Sequence, residues 1–384
     1  MSHSCVRTLT DRSIGNILYS KSFGKSTLRE GTDIPFTTDT ICGVASMTKL
    51  MTAVSVLQCV EGGILDLDQD VRDLVPGFGR FGIITGVDGD DFKLEPNTTP
   101  VTPRMLLCHT SGQVYEFIDP VLGKWRASRG EIPFGGATVH EKCSIPLSFA
   151  PGTAWAYGGG CDWAGKVVEA VTKTTLEEYM KARIWTPLGI ERDASFFPRN
   201  KEGMKDRMAE WATLSETGEP PAVYLPDFDA NFGSTECLGG GGLSISTKGY
   251  YAFLSALFRR DARILKPASY DELFRPQLDE RCEDALNEYF YRSEQHTAFL
   301  ALCIPPSARK SWSLAGLVIK EGQEGRFGRG AVSWAGVPSV QWYMDQETGV
   351  CGVAVCQILP PMLPPVMSLH DKAQKIVFDS IRCD

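Results

Sequence analysis

The sequence predicts an α+β fold in which an antiparallel sheet, flanked by helices, is assembled from the two chain ends, with a mainly helical stretch inserted between them. Three observations predict it: strand-like alternation from Asn16 to Gly24, helical periodicity through the middle of the chain, and two strand patterns joined by a turn near the C-terminus. A chain of 384 residues with 43% hydrophobic content has ample material for such a core.

Taken in order, the alternating segment closes at Gly24 before a polar, turn-rich stretch. From Ser46 the period changes. Leu50, Ala53, Val54, Leu57 and Val60 recur at helical spacing, predicting an amphipathic helix that stops at Gly62 and Gly63. Residues from Gly77 to Pro103 are rich in Gly, Asp and Pro and are expected to form a long surface excursion. Helical pattern resumes from Trp163 to Trp185. Val337–Met344 and Val350–Leu359 are expected to pair as an antiparallel hairpin through Asp345–Gly349. Ser368 is expected to cap a last helix with an apolar face of Leu369, Ala373, Ile376, Val377 and Ile381.

Composition narrows the function. A formal charge of −8 and a pI near 5.3, with no basic stripe, argue against a nucleic-acid partner, whose phosphates demand clustered Lys and Arg. No apolar run approaches membrane-spanning length, and the polar start from Met1 to Arg12 lacks a signal-like apolar core, so a cytoplasmic address and no membrane partner are expected. The twelve cysteines show no C-x-x-C spacing and are expected to be free thiols. The five histidines form no metal-binding pattern, so neither a metal nor an organic cofactor is expected.

An S-x-x-K pattern occurs three times, at Ser22–Lys25, Ser46–Lys49 and Ser307–Lys310. Context separates them. In a strand, side chains three apart point to opposite faces, and Ser307 follows two prolines in a loop-like segment; only Ser46 opens a helix. Residues three apart on a helix are neighbours, so Lys49 can reach the Ser46 hydroxyl, and the helix N-terminus favours negative charge developing on that oxygen. Burial would also make the Lys49 amine readier to lose its charge and accept a proton. A plain N-cap serine is the competing account of Ser46.

Further landmarks favour chemistry: Leu65-Asp66; Leu106-Leu107-Cys108-His109-Thr110-Ser111-Gly112; Phe149-Ala150-Pro151-Gly152 leading to Tyr157; Gly239 to Ser246; and Ser333-Trp334-Ala335-Gly336. In this order, with Ser46-Met47-Thr48-Lys49, they resemble the serine β-lactamase and penicillin-binding-protein superfamily, and within it the class C-like branch of family VIII esterases and fungal lovastatin-type transesterases. The resemblance covers most of the chain. It implies a β-lactamase-like fold with a discontinuous sheet domain of residues 1–75 and 236–384, a mainly helical domain of residues 76–235, and an active site between them. It also implies an extra helix before the first strand; here the strand arrives almost at once.

By the same resemblance Ser46 is the nucleophile, Lys49 and Tyr157 handle its proton, and the backbone N–H groups of Ser46 and Val337 form the oxyanion hole. His109 belongs to a structural corner. Where β-lactamases carry Y-x-N this chain has Tyr157-Gly158-Gly159, and where they carry K-T-G it has Trp334-Ala335-Gly336. The amide and the cation that grip a β-lactam are therefore missing, and Trp334 suits a neutral, apolar acyl group. Trp155 and Gly159, flanking Tyr157, join Trp334, Ala335 and Gly336 as expected substrate contacts.

The function implied is serine acyl transfer through an acyl-Ser46 ester. An acyltransferase passing the acyl group to an alcohol of a small, polyketide-like molecule comes first, and a carboxylesterase that lets water finish the reaction comes second. A catalytically dead binding protein of the same fold is the alternative of another class. The expected partners are an ester or thioester donor, free or on a carrier protein, and an alcohol acceptor.

Overall fold

The computed structural model describes residues 4–8, 17–89, 91–215, 221–292, 300, 304–361 and 363–380. Its main sheet has seven antiparallel strands: β1 (Ser4–Thr8), β2 (Tyr19–Phe23), β3 (Lys310–Trp312), β4 (Leu317–Ile319), β5 (Val332–Gly336), β6 (Val340–Asp345) and β7 (Val350–Cys356). They lie in the order β3-β4-β5-β6-β7-β1-β2, so the first strand pairs with the last and the two chain ends close one sheet. Strands β5, β6 and β7 are buried along their whole length, which is why they read as near-continuous apolar runs.

Five helices matter here: α1 (Thr48–Glu61), α2 (Gly160–Thr172), α3 (Thr247–Phe258), α4 (Glu280–Tyr291) and α5 (Pro364–Ser380). Helix α1 is not amphipathic: every residue from Thr48 to Cys59 is buried, because it packs against α2 and other elements on all sides. Apart from the Gln58 Oε1, its buried polar side-chain atoms find partners within the protein. Thr52 donates to the Gly239 carbonyl at 2.7 Å, Ser55 to Met51 at 2.9 Å and Gln58 to Ile264 at 2.9 Å, avoiding the roughly 1–3 kcal/mol cost of an unmade buried hydrogen bond. Among the described residues no helix is long and apolar enough to cross a membrane.

Three local expectations are corrected. The Gly77–Pro103 stretch contains a two-stranded hairpin, Ile83–Asp88 with Asp91–Glu95; its strands are mostly exposed, so no buried apolar alternation announced them. Helix α5 starts at Pro364, not after Ser368, since proline without an N–H fits a first helical turn. Its buried face is Met367, His370, Gln374, Val377 and Phe378, while Ile376 is 64% exposed and Ile381 lies outside the described residues. The nine cysteines with described side chains are buried free thiols, among them Cys351 and Cys356 on β7.

Candidate active site

Ser46 sits in a single 3-10 turn, Ala45–Met47, between a short strand (Ile41–Gly43) and α1. The turn is held from several directions. Val44 donates to Leu243 at 3.0 Å, the Thr48 hydroxyl donates to Ala45 at 2.6 Å, and Leu243 donates back to that hydroxyl at 3.1 Å. No side-chain cap hydrogen bond is made at the start of the turn or of α1, so the N-cap account of Ser46 does not hold. Gly336 at the end of β5 runs against this turn so closely that a Cβ there would lie 2.8 Å from the Val44 oxygen and 2.9 Å from the Ser46 nitrogen.

The Lys49 amine donates to Ser46 Oγ at 3.1 Å, to Tyr115 Oη at 3.3 Å and to the Gly240 carbonyl at 2.6 Å. It also stands 4.8 Å from the centre of the Tyr157 ring. Burial favours discharging this amine, but the Tyr157 phenol, Cys161 and Asp162 together outweigh that cost and hold it above the usual lysine range. Its neighbours thus offset the burial that was expected to make this amine readier to lose its charge. Tyr115 lies on the other side of the balance: burial, reinforced by Asp162 and Tyr157, holds its phenol protonated far above the usual tyrosine range.

Tyr157 is delivered by a chain segment that is itself fixed. Ala156 donates to the His109 carbonyl at 3.1 Å and Gly158 to His109 Nδ1 at 3.3 Å, while a Cβ on Gly158 would overlap the Gln113 carbonyl. His109 is buried, and burial with nearby Lys49 keeps its ring neutral, well below the ordinary histidine range. The Trp334 indole donates to Tyr157 Oη at 3.2 Å and packs edge-on against Trp312 at 4.5 Å.

A cavity of about 930 Å³ opens onto Ser46, Tyr115 and Tyr157. Its walls are mainly apolar, with the aromatic rings of Phe134, Phe228, Phe232, Trp211 and Tyr289 among them; Ala335, Gly336 and Val337 line it beside Ser46. Trp334, Trp155 and Gly159 do not line it. Trp334 is 1% exposed and its polar edge is used on Tyr157, Trp155 packs against Trp312 and Tyr289, and Gly159 lies against Cys143 and Tyr115, so none of the three presents a surface to a ligand.

Two residues facing Lys49 are not among the expected site residues, although the run Asp162-Trp163-Ala164-Gly165 belongs to the family resemblance. Tyr115 follows the His109 corner in a loop without periodicity, and Asp162 stands in a helical run whose pattern says nothing of the carboxylate's neighbours. The other S-x-x-K lysines are placed elsewhere. Lys25 pairs with Asp33 at the surface, and Lys310 is buried against the carbonyls of Pro305 and Ala308.

The chain is similar along most of its length to known proteins. The family model described as Beta-lactamase matches residues 11–372. A lovastatin esterase from Penicillium rubens is 35% identical over 353 residues, covering 91% of this chain and 87% of its own. A monacolin J acid methylbutanoyltransferase from Aspergillus terreus is 32% identical, covering 90% and 84%. Among solved structures, a simvastatin synthase variant from Aspergillus terreus superposes with a TM-score of 0.90 at 30% identity, over 100% of this chain and 94% of its own.

Proposed function

The chain belongs to the beta-lactamase family, and from that premise we propose that it moves an acyl group from an ester or thioester donor to the alcohol of a bulky, polyketide-like molecule through an ester on Ser46. It is an enzyme of the acyltransferase and esterase kind. The observation that carries the proposal is the contact of Lys49 with Ser46 Oγ at 3.1 Å, behind a cavity lined by Ser46 and Tyr157.

Tyr157, whose ring faces the Lys49 amine, takes the proton of Ser46 as Oγ attacks the donor carbonyl. The tetrahedral oxygen is held by the N–H groups of Ser46 and Val337. When the carbon–oxygen or carbon–sulfur bond breaks, the leaving alcohol or thiol takes the proton back from Tyr157. The acceptor hydroxyl then repeats the sequence on the acyl ester: it loses its proton to Tyr157, attacks, and releases Ser46, which regains the proton. Removing one donor of such an oxyanion site costs about 10²–10³ in turnover.

Gly43, Ala45, Ser46, residues 240–244 and 335–337, with Leu238, Tyr289, Leu300, Gln357 and Pro361, supply one part of the cavity wall and residues between 115 and 234 the other. This supports a division into a sheet domain of residues 1–75 and 236–384 and a helical domain of residues 76–235 with the site between them. The mainly apolar walls favour a large apolar acceptor over water. Hydrolysis by the same acyl-enzyme is the second reading, favoured by the 35% identical relative named as an esterase. Incubation with p-nitrophenyl esters and a serine-directed phosphonate tests the chemistry: turnover and added mass on the Ser46 peptide are expected, and absence of both leaves only a binding protein. An acyl thioester offered with a panel of alcohols separates transfer from hydrolysis, and free acid as the sole product across the panel would sink the transferase reading.

A further inference from the structure

Asp162 is the third residue of α2, 1% exposed, and lines the cavity. Its Oδ1 accepts the Gly240 N–H at 2.8 Å, and the carbonyl of the same Gly240 accepts from the Lys49 amine at 2.6 Å. The Tyr115 hydroxyl is a further hydrogen-bonding neighbour of this carboxylate. The backbone is shaped around this carboxylate. A Cβ on Gly240 would lie 2.5 Å from Oδ2, and one on Gly239 would lie 2.6 Å from the Cys161 carbonyl, so only a chain without side chains passes between Asp162 and Lys49.

The groups facing Asp162 are few. Lys49 comes from α1, Tyr115 from the loop after His109, Lys142 and Cys143 from the short helix Val139–Cys143, and Cys161 from its own helix. Lys142 donates to the Phe134 and Phe232 carbonyls at 3.0 and 2.7 Å, and its charge adds a smaller pull on the Asp162 carboxyl than that of Lys49. Burial pushes the Asp162 carboxyl up, while Lys49, the Gly240 N–H and Tyr115 pull it back. A buried carboxylate is costly unless a charge compensates it, and Lys49, on the far side of Gly240, is the first of the charges that lower it.

We propose that Asp162 is a positioning residue of the acyl-transfer site: the buried anion opposite the Lys49 ammonium, which also fixes, through the Gly240 peptide, where that ammonium meets Ser46. The inference rests on the acyl-transfer reading above. It gives Lys49 a permanent role as a cation and removes it from the set of groups that exchange protons during turnover. A purely structural Asp162 would only tie α2 to the Gly239–Gly242 segment.

Asp162→Asn separates the two roles, because the amide oxygen still accepts the Gly240 N–H while the charge is gone. With p-nitrophenyl butyrate as substrate, the alkaline limb of kcat/KM is expected to move to lower pH, with a loss of about tenfold or more at alkaline pH, the effect of one pH unit, and KM little changed. A folded Asp162→Asn enzyme whose pH profile superimposes on the wild type overturns the proposal. Wild-type protein that neither turns over the ester nor takes up phosphonate at Ser46 takes down the acyl-transfer reading itself. Should Asp162→Asn fail to fold, Lys49→Met tests the pair from the other side. With the cation removed, Asp162 is expected to take up a proton, seen as a new carboxylic-acid C=O stretch in the infrared difference spectrum, and an unchanged carboxyl region overturns the pairing.

Discussion

A buried amine next to a hydroxyl can act as a base or as a fixed charge, and at Lys49 the neighbours decide. Desolvation alone would make it a base, yet a phenol, a thiol and a carboxylate within its surroundings keep the proton on. Ser46→Ala is expected to abolish ester turnover with stability lowered by no more than about 1 kcal/mol, measured by initial rates beside urea unfolding; Tyr157→Phe should be nearly as inactive. Trp334→Phe tests the indole on the Tyr157 oxygen. The ring volume is largely kept and one hydrogen bond of about 1 kcal/mol is lost, so kcat should fall several-fold at unchanged KM. Equal rates in that variant would reduce Trp334 to packing. The contact of Ser46 with Lys49 was legible in the sequence because three residues on a helix span one turn. Trp334 as a partner of Tyr157 was not, because the two are 177 positions apart.

Among the elements, the approach of β5 to the Ser46 turn has the tightest tolerance. Gly336→Ala would place a methyl 2.8 Å from the Val44 oxygen, so the strand end or the turn must shift. A stability loss of about 1–3 kcal/mol is expected, with turnover reduced far more than unfolding would explain, as measured by denaturation and by active-site titration with phosphonate. The strands β6 and β7 announced themselves through apolar runs, as did α1 and α2 through their period. The Ile83–Glu95 hairpin did not, since exposed strands carry no burial signal, and Ser368 misled because a cap residue at the wrong position resembles one at the right position. Helix α1 was legible as a helix but not as a central one; its polar residues face carbonyls contributed by segments up to 206 positions away.

At the scale of the whole molecule, the closing of the sheet by both chain ends makes α5 part of the main core, and with it His370. Burial lowers the His370 ring to about 4, and neither ring nitrogen has a partner. In the unfolded chain this ring protonates near pH 6.5, whereas in the native protein it stays neutral until about 4. Stability is therefore lost progressively as pH falls from 6.5 towards 4, by roughly 3 kcal/mol at most from this residue. Denaturant midpoints measured across that range should show the slope, and His370→Leu should flatten it; an equally steep slope in the variant would assign the acid lability elsewhere. The neutral, buried His109 adds to the same window.

By itself the sequence determined what depends on near neighbours: the period of α1, the one-turn spacing of Ser46 and Lys49, the terminal hairpin of β6 and β7, and the ordered motifs that mark the family. Only the tertiary structure decided the charge on Lys49, the placement of Tyr115 and Asp162, the use of Trp334, and the apolar cavity. Helical and strand periods follow from local backbone geometry, which a few consecutive residues specify. Desolvation and Coulomb forces depend on which distant segments pack together, and no short stretch of chain carries that information.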